Sequence, residues 1–154
     1  MKKKYSLNEI KIEPAVLDMA QPLGRFLITL FRQFENELTH ELKKLGYTIS
    51  TSDFNAIRNI EPGGSNPVRI AELAGITKQA MSKQLAKLEK SGLIKKIEDE
   101  KDQRAKLIVF TKKGEQFLHH AIAIIAKIEK RFAEKLGSEK QLLLLKTNLQ
   151  NLIE

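Results

Sequence analysis

SGLIKKIEDEKDQRAKLIVFTKKG, residues Ser91–Gly114, is the stretch whose reading decides the fold. Leu93, Ile94 and Ile97 form one short run rich in branched side chains, and Leu107, Ile108, Val109 and Phe110 form a second. Between them EDEKDQRAK is too polar to be core, so the stretch reads as two short strands joined by a long charged loop. A two-stranded ribbon is marginal alone and needs helices to lean on.

Those helices stand immediately before it. Thr77 opens a helix in which Met81, Leu85 and Leu88 cluster on one side and anchor it on a core. Upstream, Ile70–Gly75 reads as a short helix ended by glycine, a very short extended piece is expected near Val68, and Pro62, Gly63 and Gly64 break the chain. Ser50 or Thr51 can cap the helix ahead of that break, whose Phe54, Ile57 and Ile60 fall three apart. Short helices, a tight turn at Ala74–Ile76 and a ribbon make a winged helix-turn-helix, spanning residues 49–114.

Longer helices flank this lobe. From Ala15 to Leu45, Leu23, Leu27, Leu30, Phe31, Phe34, Leu38, Leu42 and Leu45 recur at steps of three and four, and Gly46 stops the pattern. After the ribbon, Thr111 caps a helix carrying Phe117, Leu118, Ala121, Ile122, Ile125, Ile128, Phe132 and Leu136. A last helix follows Ser138, with Leu142–Leu145, Leu149, Leu152 and Ile153. Four consecutive leucines face most of the way round a helix, more apolar surface than a monomer needs. Residues 15–48 and 115–154 are therefore expected to form a helical dimerisation region, a monomeric bundle being the alternative. The expected fold class is mainly α (α+β): a winged helix-turn-helix with long N- and C-terminal dimerisation helices. The first fourteen residues, MKKKYSLNEIKIEP, form an N-terminal extension that starts like the basic end of a signal peptide but lacks its apolar stretch.

Composition removes several classes of function. The 154 residues suffice for a real core, and the absence of cysteine excludes disulfides, thiolate metal sites and cysteine redox switches. No run of eighteen apolar residues occurs, so neither a transmembrane helix nor a membrane partner is expected, and a cytoplasmic location is. No nucleophile with a base, paired carboxylates or phosphate cradle stands out, and Gly63–Gly64 lack the lysine of a P-loop; neither enzymatic activity nor a cofactor is expected. His119 and His120 are adjacent, so on a helix they diverge and do not share a metal ion.

The charge points to a polyanion. The formal net charge is +8, and residues Asn66–Gly114 hold twelve Lys and Arg against six Asp and Glu, so most of the excess lies in a third of the chain. From Thr77 to Leu88 there is no acidic residue at all. Gln79 and Lys83 lie nearly opposite the Met81–Leu85–Leu88 anchor, Ser82 and Lys87 flank them, and Thr77 and Lys78 sit in the first turn, where backbone donors and the helix dipole favour phosphate. Amide and hydroxyl groups read base edges and lysines neutralise phosphate, so double-stranded DNA is the expected partner. In the charged loop Arg104 near the tip can enter a minor groove, with Asp102 placed to orient it and Lys106 at the loop's foot.

RIAELAGITKQAMSKQLAKLEKSGLIKKIEDEKDQRAKLIVFTKKGEQFL resembles the winged helix-turn-helix core of MarR-type transcriptional regulators, and Asp102, Arg104, Thr111 and Gly114 match that family's wing signature. LGYTISTSDFNAIRNIEP is similar to the end of the family's first helix and the start of its second. The resemblance implies a homodimeric regulator, often a repressor, with one recognition helix per major groove and one wing per adjoining minor groove. Arg104 is then the wing arginine, and Gln79, Ser82 and Lys83 are the base-contacting positions. It further implies a small aromatic or anionic ligand where dimerisation helices meet the DNA-binding lobe, for which Phe34, His40, Tyr47 and Arg58 are candidates. The competing readings are a nucleoid-type protein with low sequence preference and a winged helix that binds protein.

Overall fold

The computed structural model describes residues 22–99 and 106–153. In chain order it contains α1 (Leu23–Lys44), α2 (Thr51–Ile57), α3 (Pro67–Leu73), α4 (Lys78–Lys90), β1 (Ile94–Glu98), β2 (Lys106–Phe110), α5 (Lys112–Leu136) and α6 (Glu139–Asn151). The class is mainly α with a small antiparallel ribbon, the winged helix-turn-helix expected from the sequence. Among the described residues no helix is long and apolar enough to cross a membrane.

The chain divides into two compact units, Met1–Phe34 and Glu35–Glu154. The described part of the first is the N-terminal half of α1, which Pro22 precedes; Leu23, Phe26, Leu27, Ile28, Leu30 and Phe31 are all exposed. In the second unit, the C-terminal half of α1 buries Leu38 and Leu42, and Glu37 ion-pairs with Arg131 of α5.

Helix ends follow local chemistry. Ser50 caps α2 in a reciprocal capping box with Asp53, and Thr77, Thr111 and Ser138 cap α4, α5 and α6. α3 corrects the sequence reading. No extended piece forms at Val68, which lies in the first turn of a helix that Asn66 caps and Pro67 opens. Pro67 has no N–H to lose there and a preset φ, so it starts the helix earlier than Ile70. The extended residue is Ser65, which exchanges backbone hydrogen bonds with Ile108 at 3.0 and 2.9 Å and so adds a one-residue bridge on the edge of β2 away from β1.

β1 and β2 pair in the register Ile94↔Phe110 to Glu98↔Lys106. Buried Ile94 and Ile108 share the face that meets the core made by Ile70, Met81, Leu85 and Leu88. On α5 the buried stripe is Phe117, Ala121, Ile124 and Ile128; Ile122, which the spacing had placed with the core, is 64% exposed. So many apolar residues populate this helix that the sequence does not fix its rotation. Gly137, with φ of +93°, ends α5, and α6 turns back along it, Lys146 pairing with Glu129 at 2.7 Å. No residue of α6 is buried: Leu143 and Leu144 remain exposed, as do Leu152 and Ile153 just beyond it.

Candidate nucleic-acid interface

The turn between α3 and α4 is held from behind. The Asn55 side-chain amide of α2 donates to Ala74 O at 3.1 Å, and Arg58 steadies Asn55 by donating to its Oδ1 at 2.7 Å. α4 then starts from Thr77, whose Oγ1 accepts the Ala80 N–H at 3.1 Å, and buries Met81, Leu85 and Leu88 as the spacing indicated. That anchoring leaves Lys78, Gln79, Ser82 and Lys83 exposed on the first two turns. Among the described residues no ion pair engages Lys78 or Lys83. Lys90 extends the same outer face, seven residues after Lys83, a position the sequence reading passed over although helical periodicity indicates it.

Lys87, expected to flank the outer face, also ties α4 to a neighbouring helix. Its ammonium donates to Asp53 Oδ2 at 2.5 Å and bolts α4 to α2. Asp53 is 1% exposed and went unnoticed in the sequence, although Ser50 three residues before it is a capping-box signal. The same oxygen accepts from the Ser50 N–H and hydroxyl at 2.8 and 2.7 Å. Burial pushes this carboxyl up, but the Lys87 ammonium and the Ser50 donors outweigh burial and hold it below its ordinary value of 3.8.

A depressed carboxyl pKa means the pair's contribution is complete above 3.8 and is lost as pH falls through the lower folded-state value. Lys87→Met leaves a buried carboxylate whose remaining donor among the described residues is Ser50, and is expected to destabilise by about 2–3 kcal/mol near neutral pH. In urea titrations the gap between variant and wild type should close as the pH drops below that ordinary value. A variant as stable as wild type at neutral pH would contradict this role.

The foot of the wing is electrically balanced. Lys106 pairs across the ribbon with Glu98 at 2.8 Å, and this hydrogen bond lowers the Glu98 pKa; Lys96 pairs with Glu89 at 2.7 Å. Asp102 and Arg104 lie outside the described residues.

Two of the four ligand candidates share a hollow. His40 and Tyr47 line a shallow hollow of about 330 Å3 with Asn36, Thr39, Lys43, Thr48 and Ile49. The Tyr47 ring meets Phe117 edge-on at 5.1 Å, and its hydroxyl is 3.1 Å from His120 Nδ1. Arg58 is exposed and engaged with Asn55, and Phe34 belongs to the first unit. Among the described residues no three or more metal-ligating side chains cluster.

A helix anchored on one side, acid-free and lysine-bearing on the other, preceded by a braced turn and followed by a ribbon, defines a winged helix-turn-helix DNA-binding protein. A family model described as MarR family matches residues 45–105. The transcriptional regulator HosA of Escherichia coli O157:H7 is 30% identical over 113 residues, 73% of this chain and 81% of that protein. Among solved structures, the transcriptional regulator Tm0710 from Thermotoga maritima superposes with a TM-score of 0.61 at 25% identity, over 86% of this chain and 94% of that one. A mutant of Escherichia coli MarR complexed with operator DNA gives a TM-score of 0.71 at 17% identity, over 90% and 99%, and so shares the fold. The chain belongs to the MarR family of DNA-binding transcriptional regulators.

Proposed function

We propose that the chain acts as a homodimer on a pseudo-palindromic operator, repressing transcription by occupying DNA that polymerase needs. The observation that carries this reading is the outer face of α4, where Lys78, Gln79, Ser82 and Lys83 stand exposed around a buried anchor with no acidic side chain among them. Two apolar surfaces that are exposed among the described residues, on the N-terminal half of α1 and on α6, supply what a second copy would bury. Two-fold symmetry then places the half-sites about one helical turn apart, roughly 10 base pairs. The operator-bound MarR structure is the precedent.

In this reading Arg104 enters the minor groove, Asp102 orients it, and Thr77 and Lys78 meet phosphate. Arg104→Ala is expected to lower operator affinity by about tenfold or more, whereas Lys2→Ala changes it little. Equal losses at fixed salt would argue against the wing role. The hollow beside His40, Lys43 and Tyr47 supports release by a small aromatic or anionic ligand, since it offers cationic and aromatic groups together.

Titration of the purified protein against DNA upstream of its own gene and against random DNA, each at several salt concentrations, tests the proposal. Tighter binding to the upstream DNA, with two chains per duplex, is the expected result. Equal affinity with equal salt dependence would indicate a nucleoid-type protein, and no binding at low salt a protein-binding winged helix.

A further inference from the structure

The chain leaves α4 at Ser91, traces the ribbon and its loop, and returns to the point of departure. There Thr111 donates its backbone N–H to Leu93 O at 3.0 Å and its hydroxyl to Gly92 O at 2.6 Å. At the second residue of α5 the Lys113 ammonium donates to Ser91 O at 2.8 Å. One residue further, Gly114 lies so close to this turn that a Cβ on it would stand 2.0 Å from Leu93 O. The wing is thus a closed excursion, and the C-terminus of α4 is fastened directly to the N-terminus of α5. Lys113 also brings positive charge to the C-terminal end of α4, where the helix dipole favours it.

We propose that this joint, with Lys113 as its cross-brace, sets the operator spacing that the protein accepts. Lys113 is a specificity-determining positioning residue for DNA, although it lies off α4. The inference rests on the homodimer reading above. α5 has 25 residues and is therefore about 37 Å long. Over that length a rotation of about 5° at one end moves the other by about 3.4 Å, the rise of one base pair. A joint that yields by a few degrees therefore changes half-site separation by a whole step. Three successive carbonyls, of Ser91, Gly92 and Leu93, accept hydrogen bonds from α5 and its cap, so bending at the α4–α5 junction has to break or lengthen them.

The test uses the full-length protein and a set of duplexes with identical half-sites whose spacing is lengthened or shortened by one or two base pairs. Wild type is expected to bind its best spacing roughly tenfold tighter than either neighbour. Lys113→Met should reduce that preference to about threefold or less, with unchanged affinity for a single half-site and an unchanged salt slope, and Lys113→Arg should restore it. A wild-type spacing profile in Lys113→Met overturns the inference alone. So does a uniform loss at every spacing, whether accompanied by a shallower salt slope, which marks a phosphate contact, or by a lower melting temperature, which marks a merely structural role. A flat profile in the wild type overturns the homodimer reading and this inference with it.

Discussion

Gly114→Ala is expected to lower stability by about 3 kcal/mol or more, a fall of roughly 10 °C in Tm. Helix propensity alone predicts the opposite sign, because Gly114 lies in α5 and alanine is favoured over glycine in a helix by about 1 kcal/mol. The clash wins. A Cβ at this position would stand 2.0 Å from Leu93 O and 3.1 Å from the Phe110 ring, and the first of these neighbours is backbone. Relief requires α5 to draw back from the turn, which breaks the Thr111 N–H to Leu93 O bond and disturbs the Thr111 cap, a further loss of about 1 kcal/mol. Thermal melting checks this, and a Tm at or above that of wild type would show that the α4–α5 junction is softer than its geometry indicates.

Lys83→Ala should cost the dimer about 2–6 kcal/mol of operator affinity, since each lost contact counts twice and each is worth about 1–3 kcal/mol. The loss in binding is then at least about thirtyfold. A base-facing Lys83 should lose more on the operator than on random DNA, while Lys78→Ala, in the first turn that the proposal assigns to phosphate, should weaken both alike and reduce the salt slope by about two units. Lys135→Ala, in the last turn of α5, serves as the control and should change neither. Titrations in which Lys83→Ala and Lys135→Ala behave alike would remove α4 from the interface.

Much of the site was legible because it is local. The spacing of Met81, Leu85 and Leu88 gave the orientation of α4, and Thr77 and Thr111 were recognisable as helix starts from residue type, whereas the choice of Ser50 over Thr51 came from the structure. Features that depend on tertiary partners were not legible. Lys87 looked like one more cation in the acid-free run Thr77–Leu88, because its carboxylate partner Asp53 lies 34 residues earlier. Ser65 carries no strand signal, yet Ile108 draws it into a bridge. Among the apolar residues of α5, only packing selects Ile124 over Ile122 for burial. The bracing of the helix-turn-helix by Arg58 through Asn55 was likewise invisible in the sequence.

The central claim is that two copies of α4 read one symmetric site. Selection of bound duplexes from a random pool by the full-length protein tests it most directly. Enrichment of an inverted repeat with half-sites about 10 base pairs apart, bound by two chains, is the expected result. Failure of any motif to emerge, or an asymmetric motif bound by one chain, would contradict it.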